Sequence, residues 1–400
     1  MELNNFSSDN EVKEGNIKIT LEDFPDDIYI LLEDEFRANF FKAAWKINKS
    51  YRHLAKKIGV AAPTMLAWRR NKDGGHYERF VSMKNLRKIL NLCKNSSSPL
   101  FDFRIIEKYI KCIRARHGKL RIYNPKLPID DSVELREIVT HLLCDGYASN
   151  KKQTTSKYEL TSLGAVKEFQ NELSAFGEIQ NLEIRKYNSP KPRAAMYRLS
   201  FPKAITKILI SRFNINFSWD KGRLPKEFLR GDKKLLVAIV RAFLIDEGHI
   251  HSLSVKFSSN NLKLLYDLES ICLKLGYECL RIRNCKSCYV LSLSTKSFLN
   301  ICNDIMSISP LPIPKKQKRL ELGLKLLKKR YIHFDVGKEI INLLSVKPMT
   351  VAQLCEKVIA RGNNINDHLN RLKRENIVTV CSRKARGSGG AFIWKLADQK

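Results

Sequence analysis

What this chain lacks narrows it before any motif is considered. No apolar run reaches the roughly 20 residues that a membrane span requires, and the stretch Val237–Ile245 is broken by Arg241. The first residues are acidic and polar, so no secretory leader is expected. The ten cysteines show no disulfide framework and suit a reducing compartment, so a cytoplasmic, nucleoid-associated protein with no membrane partner is expected. Cys272, Cys279, Cys285 and Cys288 do cluster, and the last two form a C-x-x-C. Cys272 falls in a helical apolar run and Cys279 opens a strand-like one, which argues against zinc. His141, His249, His251, His333 and His368 have no ligand spacing. Acids also become scarce along the chain. Residues 1–40 hold eleven acids and three bases, a net −8, so residues 41–400 carry +39 of the overall +31. A body that basic calls for a polyanionic partner, nucleic acid first.

What is present is a chain of 400 residues, 44% apolar, enough for two or three cored domains. Two short stretches organise it, Ile138–Gly146 (IVTHLLCDG) and Val240–Gly248 (VRAFLIDEG). Each is an apolar helical run ending in an acid and a glycine: Asp145-Gly146 and Glu247-Gly248. A carboxylate on a helix's last turn is badly placed, because that end carries partial negative charge. The glycine suits the left-handed residue that ends a helix. Two such endings suggest paired carboxylates, which bind hard cations such as Mg²⁺.

Residues 1–26 form an acidic tail without period, expected to be flexible. Residues 27–95 read as an all-α domain. Ala55 and Gly59 take the corner positions of a helix-turn-helix, Val60, Met65, Leu66 and Trp68 face its core, and Thr64, Arg69, Arg70, Asn71 and Lys72 face DNA. Residues 96–123 read as a linker helix with a basic end. Residues 124–223 and 224–334 are two copies of one pattern, α-β-β-α-β-β-α, each entered by a Leu-Pro pair. The strands alternate, giving each copy one wet sheet face. Arg185 and Arg198 in the first copy, and Lys256, Arg281, Arg283 and Lys286 in the second, suit phosphate and major-groove contact. Residues 335–400 read as a winged helix. Its recognition helix is 363–375, with Asn366, Arg371 and Lys373, and its basic wing carries Arg383, Lys384 and Arg386.

The two motifs and their flanks resemble the LAGLIDADG homing endonuclease family in its two-repeat, single-chain form. The resemblance covers residues 124–330. It implies an α+β fold, a duplicated αββαββα core, here flanked by the helix-turn-helix and winged-helix domains. It implies motif helices side by side, saddle-shaped sheets on double-stranded DNA, and Mg²⁺ held by Asp145 and Glu247 for phosphodiester hydrolysis. By position after the second copy Lys316 is the catalytic lysine, with Lys315 as rival and Lys221 as the first-copy equivalent. Asn260 and Thr161 take the polar-network positions. The internal pseudo-dimer implies a monomer. This sequence departs from the motif at Leu143 and Ile245, which replace its earlier acid, and at Val139, Thr140 and Arg241, which replace small packing residues. The alternatives are a non-catalytic transcriptional regulator reusing the same scaffold, WhiA-like, and a maturase-like RNA binder.

Overall fold

The computed structural model describes residues 17–69, 80–96, 98–148, 155–187, 195–329, 336–358, 362–384 and 391–397. The assignments made to Arg70, Asn71, Lys72 and Arg386 lie outside these residues, as do the side chains of Arg383 and Lys384. Two compact units are present, residues 1–239 and 240–400.

The first unit opens with an ordered segment where a tail was expected from residue 17 on. Lys18–Ile19 pairs antiparallel with Ile129–Asp130. Ile19, Leu21 and Phe24 are fully buried, each such burial contributing about 2 kcal/mol. Asp23, one of the acids that make this segment look like a tail, accepts from the Thr20 amide at 2.7 Å, and the Leu21 amide donates to Glu107 from a distant part of the chain at 2.6 Å. Burial raises the pKa of Glu107.

The expected all-α domain is mixed. Helices Asp34–Ile47, Tyr51–Ile58, Ala62–Arg69 and Met83–Leu92 accompany a four-stranded antiparallel sheet, in order Val81–Ser82, Ile28–Leu32, Ile110–Ala115, Ile122–Tyr123. The expected linker helix is therefore wrong: among the described residues of 96–123 a 3-10 turn, Pro99–Phe101, and a short α-helix, Phe103–Glu107, precede a strand at Ile110–Ala115. Ile110 and Ile113, three apart, imitate a helix stripe. The burial of Ile110 and Cys112 around exposed Lys111 shows the strand period instead. Ile28–Leu32 alternates in the same way.

The next segment supplies α1 Val133–Cys144, β1 Gly146–Tyr147, β2 Thr155–Leu160, α2 Leu163–Glu172, β3 Ile184–Tyr187, β4 Met196–Pro202 and α3 Lys203–Phe213. Its antiparallel sheet has the order β1-β2-β4-β3. Tyr158, Leu199 and Phe201 are fully buried on the face that α2 covers. Helix α4, Lys233–Asp246, contains the boundary between the units. After it come β5 Gly248–His251, β6 Ser254–Ser259, α5 Leu262–Lys274, β7 Cys279–Cys285, β8 Cys288–Leu293, α6 Phe298–Ile308 and α7 Pro314–Lys329. The order β5-β6-β8-β7 repeats that of the first sheet.

Both motif helices are buried around their circumference, so their polar residues need partners inside. Arg136 donates to Asp131 through Nε (2.8 Å) and Nη2 (2.7 Å), and to the Phe228 carbonyl through Nη1 (3.0 Å). Arg241, fully buried, donates to the carbonyls of Ser309 at 3.3 Å and Pro310 at 3.0 Å.

At the C-terminal end, helices Val336–Val346, Val351–Lys357 and Gly362–Arg374 pack with a three-stranded antiparallel sheet, in order Met349–Thr350, Ala391–Leu396, Val378–Lys384. They form a core of their own around Ile340, Leu354, Ile365, Leu369 and Trp394.

Candidate active site and nucleic-acid interface

Each motif helix stops the same way, and the cause is steric. Asp145 is the C-cap of α1, its amide donating to the His141 carbonyl at 3.0 Å. Gly146 then turns straight into β1 opposite Tyr158. A Cβ on Gly146 would meet the Leu142 carbonyl at 2.9 Å and its Cδ2 at 2.7 Å. In the second copy the Glu247 amide donates to the Phe243 carbonyl at 2.9 Å, Gly248 pairs with Phe257, and its Cβ would meet Leu244 Cα at 2.6 Å. Neither glycine has positive φ. The left-handed cap expected from sequence is thus corrected: glycine is required because the first strand residue leaves against the helix's last turn.

The surroundings of the two acids differ. Half-exposed Asp145 lines an open groove of about 410 Å³ with Tyr147, Lys157, Glu159 and Met196. Lys221, the expected first-copy lysine, is exposed, and its neighbour Gly222 packs against Leu143 on α1, where an added Cβ would lie 2.9 Å from Leu143 Cδ2. Glu247 is half-buried. Burial and the charge of Asp246 push its pKa up to about 7, opposed by the nearby Lys316. The Lys316 ammonium donates to the carbonyls of Leu244 (2.8 Å) and Ile245 (2.7 Å), the last turn of α4. A cation there satisfies carbonyls that a helix end leaves open. Lys315 is exposed and lines a different cleft, with His251 and Arg319. Asn260 and Thr161 are exposed, one residue before the N-caps Asn261 and Ser162 of α5 and α2.

Sequence reasoning missed Tyr147, Lys157, Glu159 and Ser258. Ser258 donates its amide to the Glu247 carbonyl at 3.2 Å. For Lys157, Glu159 and Ser258 the signal was strand parity: β2 and β6 bury Tyr158 and Phe257, so the residues on either side face outward.

On the outward sheet faces, Glu159 accepts from Arg198 Nε and from the Tyr187 hydroxyl, and the Arg198 guanidinium sits 4.5 Å from the Tyr187 ring. Arg198 and Tyr187 hold the Glu159 pKa below its ordinary value despite burial. Arg185 is chelated by Glu183 at 3.0 and 2.9 Å. By contrast Lys256, Arg281, Arg283 and Lys286 are exposed, and among the described residues no carboxylate pairs with them. Thr64 and Arg69 are exposed on Ala62–Arg69, which follows the left-handed Gly59 (φ 76°), and Arg69 lies 4.9 Å from the Trp45 ring. Met65 and Trp68 are buried as expected, while Val60 and Leu66 are half-buried. Asn366, Arg371 and Lys373 are exposed on Gly362–Arg374, Arg371 donating to His368 Nδ1 at 3.2 Å.

Among the described residues, one group of three metal-ligating side chains converges: Glu137, Glu168 and Glu172. The cysteines contribute to no such group. Asp145 and Asp246-Glu247 are oxygen donors of the kind a hard cation takes. Mg²⁺ is commonly held by one or two carboxylates, with water and phosphate completing its shell. Each helix end by itself therefore offers oxygen ligands of the kind such an ion takes.

No family model matches this chain, and no curated protein matches it. Solved structures do. A mesophilic variant of the homing endonuclease I-DmoI aligns at 14% identity with TM-score 0.31, over 44% of this chain and 97% of the other. The homing endonuclease I-WcaI bound to its DNA recognition sequence aligns at 13% with TM-score 0.36, over 47% and 85%. The N-terminal LAGLIDADG domain of DUF199/WhiA aligns at 13% with TM-score 0.31, over 45% and 86%.

Proposed function

We propose that this protein binds double-stranded DNA site-specifically and cleaves it by Mg²⁺-dependent phosphodiester hydrolysis, in the manner of LAGLIDADG homing endonucleases. The observation that carries the reading is the pair of identically built helix ends, Asp145-Gly146 and Glu247-Gly248, each leading into a sheet of the same strand order. Nothing in helix stability favours an acid there. Asp145 and Glu247 would each offer carboxylate oxygen to a divalent cation. When bound, that ion supplies Lewis-acid polarisation of a phosphodiester and a water of lowered pKa. Lys316 holds positive charge beside Glu247 and favours its ionised form. Lys256, Arg281, Arg283 and Lys286 would engage phosphates, and the helices Ala62–Arg69 and Gly362–Arg374 would extend the contact as helix-turn-helix and winged-helix modules.

A second reading is a DNA-binding regulator that does not cut. Lys316 favours it, since its ammonium already donates to the carbonyls of Leu244 and Ile245 and so has a structural role at the end of α4. The test is incubation with a randomised DNA library and Mg²⁺, comparing the wild type with Asp145→Asn and Glu247→Gln. Cuts that vanish in both variants support the nuclease. Salt-dependent binding without cuts selects the regulator, and absence of binding defeats both.

A further inference from the structure

We propose that Cys285 and Cys288 form a reversible dithiol–disulfide site at the tip of the β7–β8 hairpin, with a low-molecular-weight disulfide such as oxidised glutathione as its substrate. The two residues are register partners that close a two-residue turn, Lys286-Ser287. Opposite residues of an antiparallel pair project to one face, with Cα atoms about 4.5–5.5 Å apart. A disulfide needs about 4.4–6.8 Å, so the backbone already satisfies it. The face is the wet one: β8 buries Leu291 and Leu293, which turns Cys288, Val290 and Ser292 outward. Cys285 is exposed and Cys288 half-exposed. A C-x-x-C with a third ligand would point to a metal, but among the described residues no such group includes these thiols. At the matching positions of the first sheet, Tyr187 pairs with Met196, so the dithiol belongs to one repeat only.

The chemistry balances without further components. The Cys285 thiolate attacks one sulfur of the oxidant, forming a mixed disulfide and releasing one thiolate. The Cys288 thiolate then attacks the Cys285 sulfur and releases the second. Two protons leave the cysteines and end on the two released thiols, and the oxidant takes both electrons. Cross-strand Cβ atoms lie about 4.5–5.5 Å apart, wider than the roughly 3.5–4.5 Å of a relaxed disulfide. Closure therefore pulls the tip together and leaves a strained bond that thiols reduce readily. It also fixes the turn that carries Lys286, three residues beyond Arg283 on the same hairpin.

The experiment treats the full-length protein with oxidised glutathione, alkylates the remaining thiols, and maps tryptic peptides. Cleavage after Lys286 leaves the two halves joined only by the new bond. The expected result is loss of two alkylatable thiols of the ten, a Cys285–Cys288 linked peptide, and full reversal by dithiothreitol. Cys288→Ser should trap a glutathione adduct on Cys285, and Cys285→Ser should remove the linked peptide while the thermal melt stays unchanged. A disulfide mapping to Cys272–Cys279, or thiols at 285 and 288 that stay fully alkylatable, overturns the proposal. DNA binding is not read in this experiment, so the outcome is independent of the nuclease and regulator readings.

Discussion

The two sheets share strand order but treat charge in opposite ways. In the first, Glu159 stands opposite Arg198 across β2 and β4 and engages it. In the second, the matching cross-strand pair is Ser258 and Val290. The first face carries its own counter-ions, while the second leaves Lys256, Arg283 and Lys286 to solvent. The same backbone can thus present a self-neutralised surface or one that takes an outside polyanion, and a few outward strand positions decide which. The helix ends differ likewise. Asp145 opens onto a groove, whereas Glu247 is half-buried beside Asp246 and Lys316.

The comparison can be tested where the copies should agree and where they should part. The largest effect should be shared: Gly146→Ala and Gly248→Ala each force a Cβ against the preceding helical turn. Each should cost about 2–4 kcal/mol, of the size seen for severe overpacking, measured by denaturant unfolding. Equal and small losses would refute the steric account of the acid-glycine ending. Next, Arg283→Glu with Lys256→Glu should lower DNA affinity about 100-fold at low salt and reduce the salt slope by roughly 2. Arg185→Glu, already paired with Glu183 in the first sheet, should do much less in the same anisotropy titration.

The pH dependence of stability is smaller. Glu247 has its pKa raised from 4.5 to about 7. The folded chain therefore holds more protons than the unfolded chain between those values, and stability falls as pH rises across that window. Glu247→Gln should abolish this fall and stabilise the protein by about 1–2 kcal/mol at pH 8, read from melting curves at pH 4.5 and 8. Smallest, Glu159→Gln should release Arg198 and raise non-specific DNA affinity about 3-fold, as one more cation becomes available.

Much of the core was legible because it is periodic. The helix and strand intervals of residues 133–213 and 233–308 follow from apolar spacing, and outward Arg and Lys positions follow from parity. The N-terminal part was misread where two periods coincide. Ile110 and Ile113 satisfy a helix as well as a strand, and only pairing with Ile28–Leu32 decides between them. The acidic segment ahead of residue 27 looked solvated because its carboxylates were counted as charges, whereas in the fold Asp23 acts as a local hydrogen-bond acceptor.

The sequence by itself determined the two acid-glycine helix ends, the order of elements around them and the basic balance of the chain. These depend on residue type and spacing, which are local. Only the tertiary structure decided that Lys316 rather than Lys315 reaches the end of α4, that Arg198 is bound by Glu159, and that Cys285 faces Cys288. Those facts depend on which backbone segments come side by side and in what register, and on the strands a shift of one residue would turn Arg198, Glu159 or the cysteines to the opposite face.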